Sequence, residues 1–531
     1  MCYTEHMEKK RLLPIGIQTF EDLRERDCIY VDKTAMIYKL ATEGKPYFLS
    51  RPCRFGKSLL ISTMEAYFLG KKELFAGLAL ERLEQDWTEY PVLKISFGGN
   101  SFERTETLIS HINILLSDFE KKHDVAPIDK DNFGGRFAVL LEEIYRKTGK
   151  QVVILIDEYD KPILDALYSD CEEQNRQILR AFYSPLKDSD QYIKFLFITG
   201  ITKVSHVNIF SGLNQLNDIS LSEDFSSICG ITESELEEYF KPEIEALSLK
   251  RKINYEETKS RLAKMYDGYH FAHDVEGVYN PFCLLKCFYF KDFGSYWFET
   301  ATPTVLIKTL QNQPLVLSSL VNGRKAREND FMNYDPDSKN MLPVIYQSGY
   351  LTIKGFSEPR RIYTLDFPNM EIESGFLNVL LKKFAKVPDD DMGLAIDNLC
   401  DAIEARDTDK MLGMIQAAIA DLPTIVKKDM CENYYESVTH LMFRLTGFNV
   451  VSELQSVCGR SDVILNTADT VFILELKMDK GQPFEEVADQ GLRQIDENGY
   501  SQRFAVSGKT MLKICAVFSS EGKGMLGWKV K

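Results

Sequence analysis

The chain has 531 residues, 44% of them hydrophobic and 27% charged, which is the composition of an ordinary globular protein and not of a disordered or fibrous one. This length favours roughly two to four domains. The net charge of −15 at pH 7 disfavours a protein that coats nucleic acid through a uniformly basic surface, although a local basic groove stays compatible with it.

Targeting signals and cysteine spacing indicate a cytoplasmic protein without membrane association. No apolar run approaches the length of a membrane span, and the N-terminal MCYTEHMEKKRLLP lacks the apolar core of a signal peptide. The 11 cysteines form no CxxC pair, which predicts reduced thiols without a disulfide framework or zinc ribbon. Cys283 and Cys287 lie one helical turn apart, and we predict that they pack inside a helix layer instead of binding metal.

The first part of the chain alternates apolar runs with amphipathic helical patterns. The apolar runs predict buried strands, and they are KPYFLS (45–50), PVLKISF (91–97), QVVILID (151–157) and YIKFLFITG (192–200). This alternation predicts an α/β fold with a mostly parallel sheet between two helical layers.

The pattern changes three times further along the chain. After residue 230, charged amphipathic helices predict a helical region, which ends in the short strands YLTIKG and RIYTLDF. Helical periods fill roughly residues 375–425. The last hundred residues alternate helix, three strands, helix and strand, which predicts a further α/β domain.

The stretch SRPCRFGKSLL (50–60) ends like the nucleotide-binding motif G-x-x-x-x-G-K-[ST] but has Arg51 where the first glycine would stand. Gly56, Lys57 and Ser58 follow a predicted strand and open a predicted helix, whose N-terminus attracts anions. We therefore predict that Lys57 binds phosphate and Ser58 binds magnesium. A positively charged helix start after a turn would produce the same three residues.

A second motif supports the nucleotide interpretation. QVVILIDEYD is an apolar run that ends in two carboxylates, so Asp157 would hold magnesium through water and Glu158 would activate the attacking water. The alternative is a buried strand that ends in a solvated acidic turn. Thr199 closes the next predicted strand, where its side chain would lie beside the γ-phosphate.

The C-terminal region carries the pattern D…E-x-K. Strand alternation places Glu475 and Lys477 of TVFILELKM on one face, and Asp462 of GRSDVILNT begins a strand that would pair with it as a hairpin. Carboxylates next to a lysine suit metal-dependent phosphodiester hydrolysis, although a half-buried hairpin with a charged face gives the same pattern. Glu453 on the preceding strand and Glu436 on the helix before it would supply further acidic contacts.

Several stretches together resemble the bacterial AAA-ATPase-like proteins that carry a C-terminal PD-(D/E)XK nuclease-like domain. They occur in the order SRPCRFGKSLL, ILIDEYDKPI, FLFITGITKVSHVNIFSGLNQLNDISL, MYDGYHF, VYNPFCLL and YQSGYLTI. The resemblance covers most of the chain and includes an R-P-x-R-F-G-K-S loop, so Arg51 resembles a family trait.

The resemblance implies a P-loop domain of the ASCE/AAA-like type at 1–230, a helical lid or winged-helix-like region at 231–370, a helical connector at 371–425 and an α/β restriction-endonuclease-like domain at 426–531. It implies ATP and Mg²⁺ as cofactors, with Mn²⁺ as an alternative at the nuclease site, and DNA or RNA as partner. A homo-oligomer is compatible with an AAA-type protein.

The resemblance also assigns residues. Arg51 and Arg54 would flank the phosphates, although Arg54 could equally pair with a surface acid. In MYDGYHF, we predict that His270 is a packed or capping residue. The positions implied for the nuclease site are Gly459 and Arg460 at its GR-x-D start, Glu453, Asp462, Glu475 and Leu476 at the metal, and Gln494, followed by Tyr500, on the helix that faces it.

These observations lead to two hypotheses. In the first, an ATP-binding and hydrolysing P-loop module is coupled to a magnesium-dependent nuclease. In the second, an ATP-dependent switch or scaffold carries a C-terminal domain that binds nucleic acid or protein without cleaving. Substituting Lys477 by Ala would abolish turnover by a nuclease and leave a binding module functional.

Overall fold

The computed structural model describes residues 11–44, 46–203, 216–300, 323–335, 340–385, 392–420, 432–455, 460–497, 504, 508–520 and 524–531. Within helices and strands, only the backbone is described at 299–300, 380–385, 392–393, 420, 432–434, 436–437, 451–455 and 460–462. The chain divides into two compact units, one comprising Met1–Pro314 and Lys325–Glu371 and the other comprising Leu315–Arg324 and Ile372–Lys531.

A parallel five-stranded sheet forms the centre of the first unit. Its strands are β1 (Tyr47–Ser50), β2 (Val92–Ser96), β3 (Val152–Asp157), β4 (Ile193–Gly200) and β5 (Asn217–Asp218). The spatial order is β2-β3-β4-β1-β5, and each pair is parallel. Every residue of β1 and β3 is buried, as expected for parallel strands that are covered on both faces.

Helices flank this sheet because their apolar stripes pack on it. They are α1 (Phe20–Glu25), α2 (Thr34–Glu43), α3 (Lys57–Phe68), α4 (Ala79–Leu83), α5 (Thr105–Lys122), α6 (Phe133–Thr148), α7 (Lys161–Asp165), α8 (Cys171–Tyr183) and α9 (Pro185–Asp188). In α6, the Asn132 side chain caps the first turn, and Gly149 ends the helix at φ +68°. Buried side chains of α5, α6 and α8 form one core with Phe48, Ile154 and Ile198 of the sheet.

The remainder of the first unit is mostly helical. It contains α10 (Glu233–Arg251), α11 (Tyr255–Tyr266), α12 (Pro281–Phe290), α13 (Tyr296–Thr300), β6 (Arg324–Ala326), α14 (Glu328–Met332), α15 (Leu342–Gln347), β7 (Thr352–Ser357) and β8 (Ile362–Asp366). A reciprocal capping box between Thr232 and Glu235 starts α10. Glu235 also pairs with buried Lys33 at 2.5 Å, which attaches this helix to the segment before α2.

The second unit combines helices with a mixed sheet. Its helices are α16 (Met370–Ala385), which begins at the last residues of the first unit, α17 (Met392–Glu404), α18 (Thr408–Ala420), α19 (Glu432–Leu445) and α20 (Phe484–Glu497). Its strands are β9 (Asn449–Gln455), β10 (Arg460–Asn466), β11 (Thr470–Met478), β12 (Thr510–Phe518) and β13 (Met525–Val530). The order is β13-β12-β11-β10-β9, with β11 and β12 parallel and the other neighbours antiparallel.

The predicted α/β class is confirmed, with a parallel sheet, a helical middle region and a C-terminal mixed sheet. Cys283 and Cys287 are both completely buried in α12, which confirms that they pack in the helix layer. In the part of the chain that the structure describes, every cysteine is a free thiol and no helix is long and apolar enough to cross a membrane.

Candidate nucleotide and metal sites

The sequence-predicted phosphate loop lies at the carboxyl edge of the parallel sheet. Ser50 at the end of β1 pairs with Gly200 at the end of β4, and β3 lies on the other side of β4. The loop after β1 and the carboxylates after β3 therefore leave the sheet at the same edge, one strand apart. This edge is where parallel α/β sheets bind ligands.

Backbone carbonyls of the loop accept hydrogen bonds from the lysine that follows it. Gly56 has φ +90° and stands as N-cap of α3, a conformation that favours glycine. Lys57 is 7% exposed, and its ammonium donates hydrogen bonds of 2.9 Å to the carbonyls of Arg51 and Pro52. Ser58 follows as the second residue of the helix. A lysine held by neutral carbonyls at a helix N-terminus provides positive potential for an anion.

Asp157 and Glu158 lie at the end of β3. Asp157 is 5% exposed, and its Oδ1 has no hydrogen-bond partner among the described residues. Burial and the neighbouring Asp157 raise the pKa of Glu158, while Lys57 opposes this shift. A buried carboxylate oxygen of this kind fits a hard cation such as Mg²⁺, which prefers oxygen ligands.

Asp160 is a functional neighbour that the sequence analysis missed. It is 1% exposed and accepts hydrogen bonds from the Ile201 and Thr202 backbone N–H groups and from the Thr202 hydroxyl. Tyr159 donates to the Thr202 carbonyl at 2.9 Å. The two residues after Glu158 thus hold the segment that follows β4 through hydrogen bonds. The sequence signal for this role was DEYD after an apolar strand.

The Thr199 hydroxyl, predicted to lie beside the γ-phosphate, has a partner inside the sheet, and the phosphate contact stays a prediction. Thr199 is fully buried, and its hydroxyl donates to the Leu49 carbonyl at 2.9 Å. The hydroxyl therefore links β4 to β1 inside the sheet.

Arg51, which the resemblance implies beside the phosphates, has its guanidinium bound to other segments of the chain in this structure. Its guanidinium is buried and donates to the carbonyls of Ser220 at 2.9 Å and Phe225 at 3.1 Å. It stacks on Phe271 at 4.1 Å. The Arg51 side chain therefore points away from the loop and contacts the segment after β5.

Aromatic rings from the middle region hold the rest of the loop. Phe55 packs edge-on against Tyr269 at 4.8 Å and Phe271 at 5.3 Å. The Arg54 guanidinium stacks on Phe282 at 4.2 Å, and its buried Nη1 has no hydrogen-bond partner among the described residues. Tyr269 and Phe271 belong to MYDGYHF and Phe282 to VYNPFCLL, so these motifs form the outer wall of the loop.

A further motif completes this wall. Gly349 of YQSGYLTI has φ +89°, and a Cβ added there would lie 2.8 Å from the Pro52 ring. Only a glycine lets the chain approach Pro52 so closely in this backbone conformation. In the sequence these motifs indicate the family resemblance, and nothing local in them predicts a place beside the loop.

An apolar cavity of about 100 Å³ opens beside Gly56. It is bounded by α3 at Leu59 and Leu60, by the segment at Ile29 and Tyr30, and by residues 228–231. A cavity with an apolar lining next to a helix N-terminus can take a flat ring system joined to an anionic group.

His270 is a packed residue, as predicted. Its Nδ1 lies 3.0 Å from the Gly268 carbonyl, and its backbone N–H donates to the Thr352 hydroxyl at 2.7 Å. Burial lowers the pKa of its imidazole.

The second unit confirms the predicted hairpin of β10 and β11. Val463 lies opposite Leu474 on one neighbouring strand and opposite Ser452 on the other. One residue further along these antiparallel registers, positions 453, 462 and 475 lie level on three adjacent strands, and all three are acidic. The side chains of Glu453, Asp462 and Glu436, together with all of Gly459 and Tyr500, lie outside the described residues.

Glu475 and Lys477 form the described part of this site. The Glu475 carboxylate is 1% exposed and lies 2.9 Å from the Lys477 ammonium, which is 24% exposed. Leu476 is buried on the opposite face of the strand, so only its backbone could reach a cation on the Glu475 face. A buried carboxylate that is level with two more acidic positions fits a magnesium or manganese ion.

Helix α20 covers this face of the sheet. A Cβ added at Gly491 would lie 2.3 Å from the Cys515 sulfur and 3.5 Å from Cγ of Lys477. Gln494 lies one turn further on, half-buried. The absence of a side chain at position 491 therefore lets the helix approach the lysine of the site.

Two lysines of the second unit are paired with neighbouring groups. Lys509 donates to the Asn466 side chain and the Thr467 carbonyl, and Lys513 pairs with Asp496.

The strand order and the two strand-end sites define a P-loop ATPase-like unit joined to a nuclease-like unit. Comparison with known proteins agrees: a family model described as "Predicted AAA-ATPase" matches residues 14–210, and one described as "PD-(D/E)XK nuclease superfamily" matches residues 430–528. The chain is 34% identical over 538 aligned positions to "Uncharacterized protein in vnfD 5'region" from Azotobacter chroococcum mcd 1, covering 99% of both chains. No solved structure matches. The chain belongs to the AAA-ATPase-like proteins with a C-terminal PD-(D/E)XK nuclease-superfamily domain.

Proposed function

We propose that the first unit binds ATP with magnesium and hydrolyses it. The observation that carries this proposal is the buried Asp157 carboxylate, which lies one strand away from a lysine-closed loop at a helix N-terminus. Lys57 and the N-terminal N–H groups of α3 would bind phosphate oxygens, and Ser58 and Asp157 would hold the metal. Bound magnesium would neutralise phosphate charge. Glu158, whose pKa is raised above its ordinary value by burial, would accept a proton from water.

Calorimetric titration with Mg-ATP tests the binding step. Lys57→Ala should weaken binding by about tenfold or more, because it removes the charged phosphate ligand. Lys72→Ala is the matched control, since this lysine is exposed and lies in a short helical turn after α3. Unchanged affinity in the Lys57 variant would contradict the proposed loop function.

We propose further that the second unit hydrolyses phosphodiester bonds in DNA or RNA. The pair of buried Glu475 and partly exposed Lys477, level with acidic positions 453 and 462, supports this activity. Glu453, Asp462, Glu475 and the Leu476 backbone would hold Mg²⁺ or Mn²⁺. A bound ion would polarise the phosphate and lower the pKa of water. Lys477 would hold a proton donor or water near the scissile phosphate, with Gln494 beside it.

The buried Asp157 Oδ1, which has no hydrogen-bond partner among the described residues, favours ATP turnover over a purely structural loop. We also propose a cytoplasmic location, where ATP and nucleic acid are present and thiols are reduced. Nuclease assays with variants of Glu475 test phosphodiester hydrolysis by the second unit.

A further inference from the structure

Arg51 connects the phosphate loop to the wall of the apolar cavity. The Phe225 carbonyl accepts one hydrogen bond from Arg51 Nη2 at 3.1 Å and another from the Ile228 backbone N–H at 3.2 Å. Ile228 is the first residue of the 228–231 stretch that lines the cavity. The arginine thus binds the turn from which this wall begins.

Further contacts fix the same guanidinium. Nη1 donates to the carbonyls of Ser50 at 2.8 Å and Ser220 at 2.9 Å, and the plane stacks on Phe271 at 4.1 Å. The side chain is 1% exposed, and all of these hydrogen-bond acceptors are backbone carbonyls. A planar, charged fork can bridge two chain segments in a fixed geometry, which a lysine ammonium cannot do.

The wall itself depends on close packing. Gly230 has φ +104°, and a Cβ there would lie 2.7 Å from the Val278 side chain. Ile231 pairs with Tyr279 as an isolated β-bridge. One end of the 228–231 stretch is thus held by the middle region and the other end by Arg51.

We propose that Arg51 is a positioning residue that sets the 228–231 wall beside Gly56 and so makes the site prefer a nucleoside triphosphate over a bare triphosphate. This inference rests on the proposed ATP site. In this role Arg51 touches neither phosphate nor base, because its donors are directed to Ser220 and Phe225. Lys57 would bind the phosphates, and Arg51 would position the part of the site that receives the base.

The test compares Mg-ATP with Mg-tripolyphosphate in calorimetric titrations of the full chain. The parent should bind ATP more tightly, because only ATP fills the apolar cavity. Arg51→Lys keeps the charge but loses the bridge, so its ATP affinity should fall about tenfold or more while its tripolyphosphate affinity changes by less than about threefold. Lys57→Ala should lose both ligands.

Arg136→Lys is the matched control, because Arg136 is also a buried arginine but pairs with Glu120 between α5 and α6. It should shift both affinities alike. If Arg51→Lys does not fold, Arg51→Gln replaces it, with the same selective loss expected. Failure of both to fold would overturn the inference, since Arg51 would then be a general core residue.

The remaining outcomes separate the two levels of the proposal. A parent that binds neither ligand would refute the ATP site itself, and the inference with it. A parent that prefers ATP, with Arg51→Lys losing both ligands equally or neither, would overturn the inference alone. Equal affinity of the parent for both ligands would show that the cavity does not receive a base and would also overturn it.

Discussion

Glu158 combines a catalytic assignment with an unfavourable folded environment. Its raised pKa means that the fold disfavours the ionised carboxylate, so the associated stability is present at low pH and is lost as pH rises through the folded pKa. Glu158→Gln should therefore raise the unfolding midpoint at pH 7.5 while lowering ATP turnover by about 100-fold or more.

Phosphate release and thermal unfolding measure these two effects, and Glu142→Gln on the exposed side of α6 is the matched control. In the parent, turnover should also fall as pH is lowered toward the raised pKa of Glu158, because the protonated acid cannot accept a proton. Full turnover by the Gln variant would remove Glu158 from the mechanism.

We expect His440 of α19 to make the second unit less stable in acid. It is 3% exposed, both ring nitrogens lack hydrogen-bond partners among the described residues, and burial lowers its pKa to about 3. Since the unfolded chain takes up the proton near the ordinary pKa, stability is complete above that value and is lost as pH falls below it. Between pH 8 and 5.5 the loss from this residue is about 1.4 kcal/mol.

His440→Leu should remove this component of the pH dependence. Hydrogen exchange of peptides from α19 and β10, followed at pH 8 and 5.5, reports the local opening free energy of the second unit. The same acid-induced increase in exchange in parent and variant would exclude His440 as its source.

Among whole elements, α20 depends on close contact with β12. At Gly491 the nearest atoms to an added Cβ are Sγ and Cβ of buried Cys515, at 2.3 and 3.1 Å, and the Cys515 Cβ cannot move without the strand. Gly491→Ala should destabilise the second unit by about 1–3 kcal/mol through overpacking and displace the helix that packs on Lys477. Nuclease activity and the unfolding midpoint should fall together.

Gly413 offers the matched control in α18, because a Cβ there meets nothing within 4 Å. Gly413→Ala should leave stability unchanged or raise it by up to about 1 kcal/mol, as Ala is the better helix former. Adding Cys515→Ala to the Gly491 variant removes the sulfur and should restore part of the loss. No recovery in the double variant would place the strain elsewhere.

The elements that sequence predicted best are those whose pattern is local. The apolar runs of β1, β3 and β4 and the alternation of TVFILELKM determine burial and facing residues directly, so the phosphate loop and the Glu475–Lys477 face could be anticipated. Thr199 and Arg51 could not, because their partners are Leu49 across the sheet and Phe225 far along the chain.

The role of the middle region could not be predicted from sequence either. MYDGYHF, VYNPFCLL and YQSGYLTI have no chemistry of their own, and their role becomes visible only where Phe271, Phe282 and Gly349 meet the phosphate loop. An aromatic residue that stacks on a guanidinium cannot be distinguished in sequence from one that fills a core. Tertiary contacts at long separation, and not local propensity, complete the nucleotide site.

For the whole molecule, we propose coupling between an ATP-dependent unit and a nuclease. Coupling between them requires two states that ATP and nucleic acid bind with different affinities. We therefore expect ATP to change the cleavage rate of the parent and not that of Lys57→Ala, whose nuclease residues are intact. Equal cleavage by the parent with and without ATP would contradict coupling while leaving both activities in place.

The most direct measurement incubates the parent, Glu475→Gln and Lys57→Ala with single- and double-stranded DNA and RNA, with magnesium or manganese, and with or without ATP. Glu475→Gln keeps the shape of the buried side chain and removes its charge. We predict metal-dependent cleavage of at least one substrate by the parent and by Lys57→Ala, and none by Glu475→Gln. Absence of cleavage by the parent under every condition, or undiminished cleavage by Glu475→Gln, would contradict the assignment of a nuclease to the second unit.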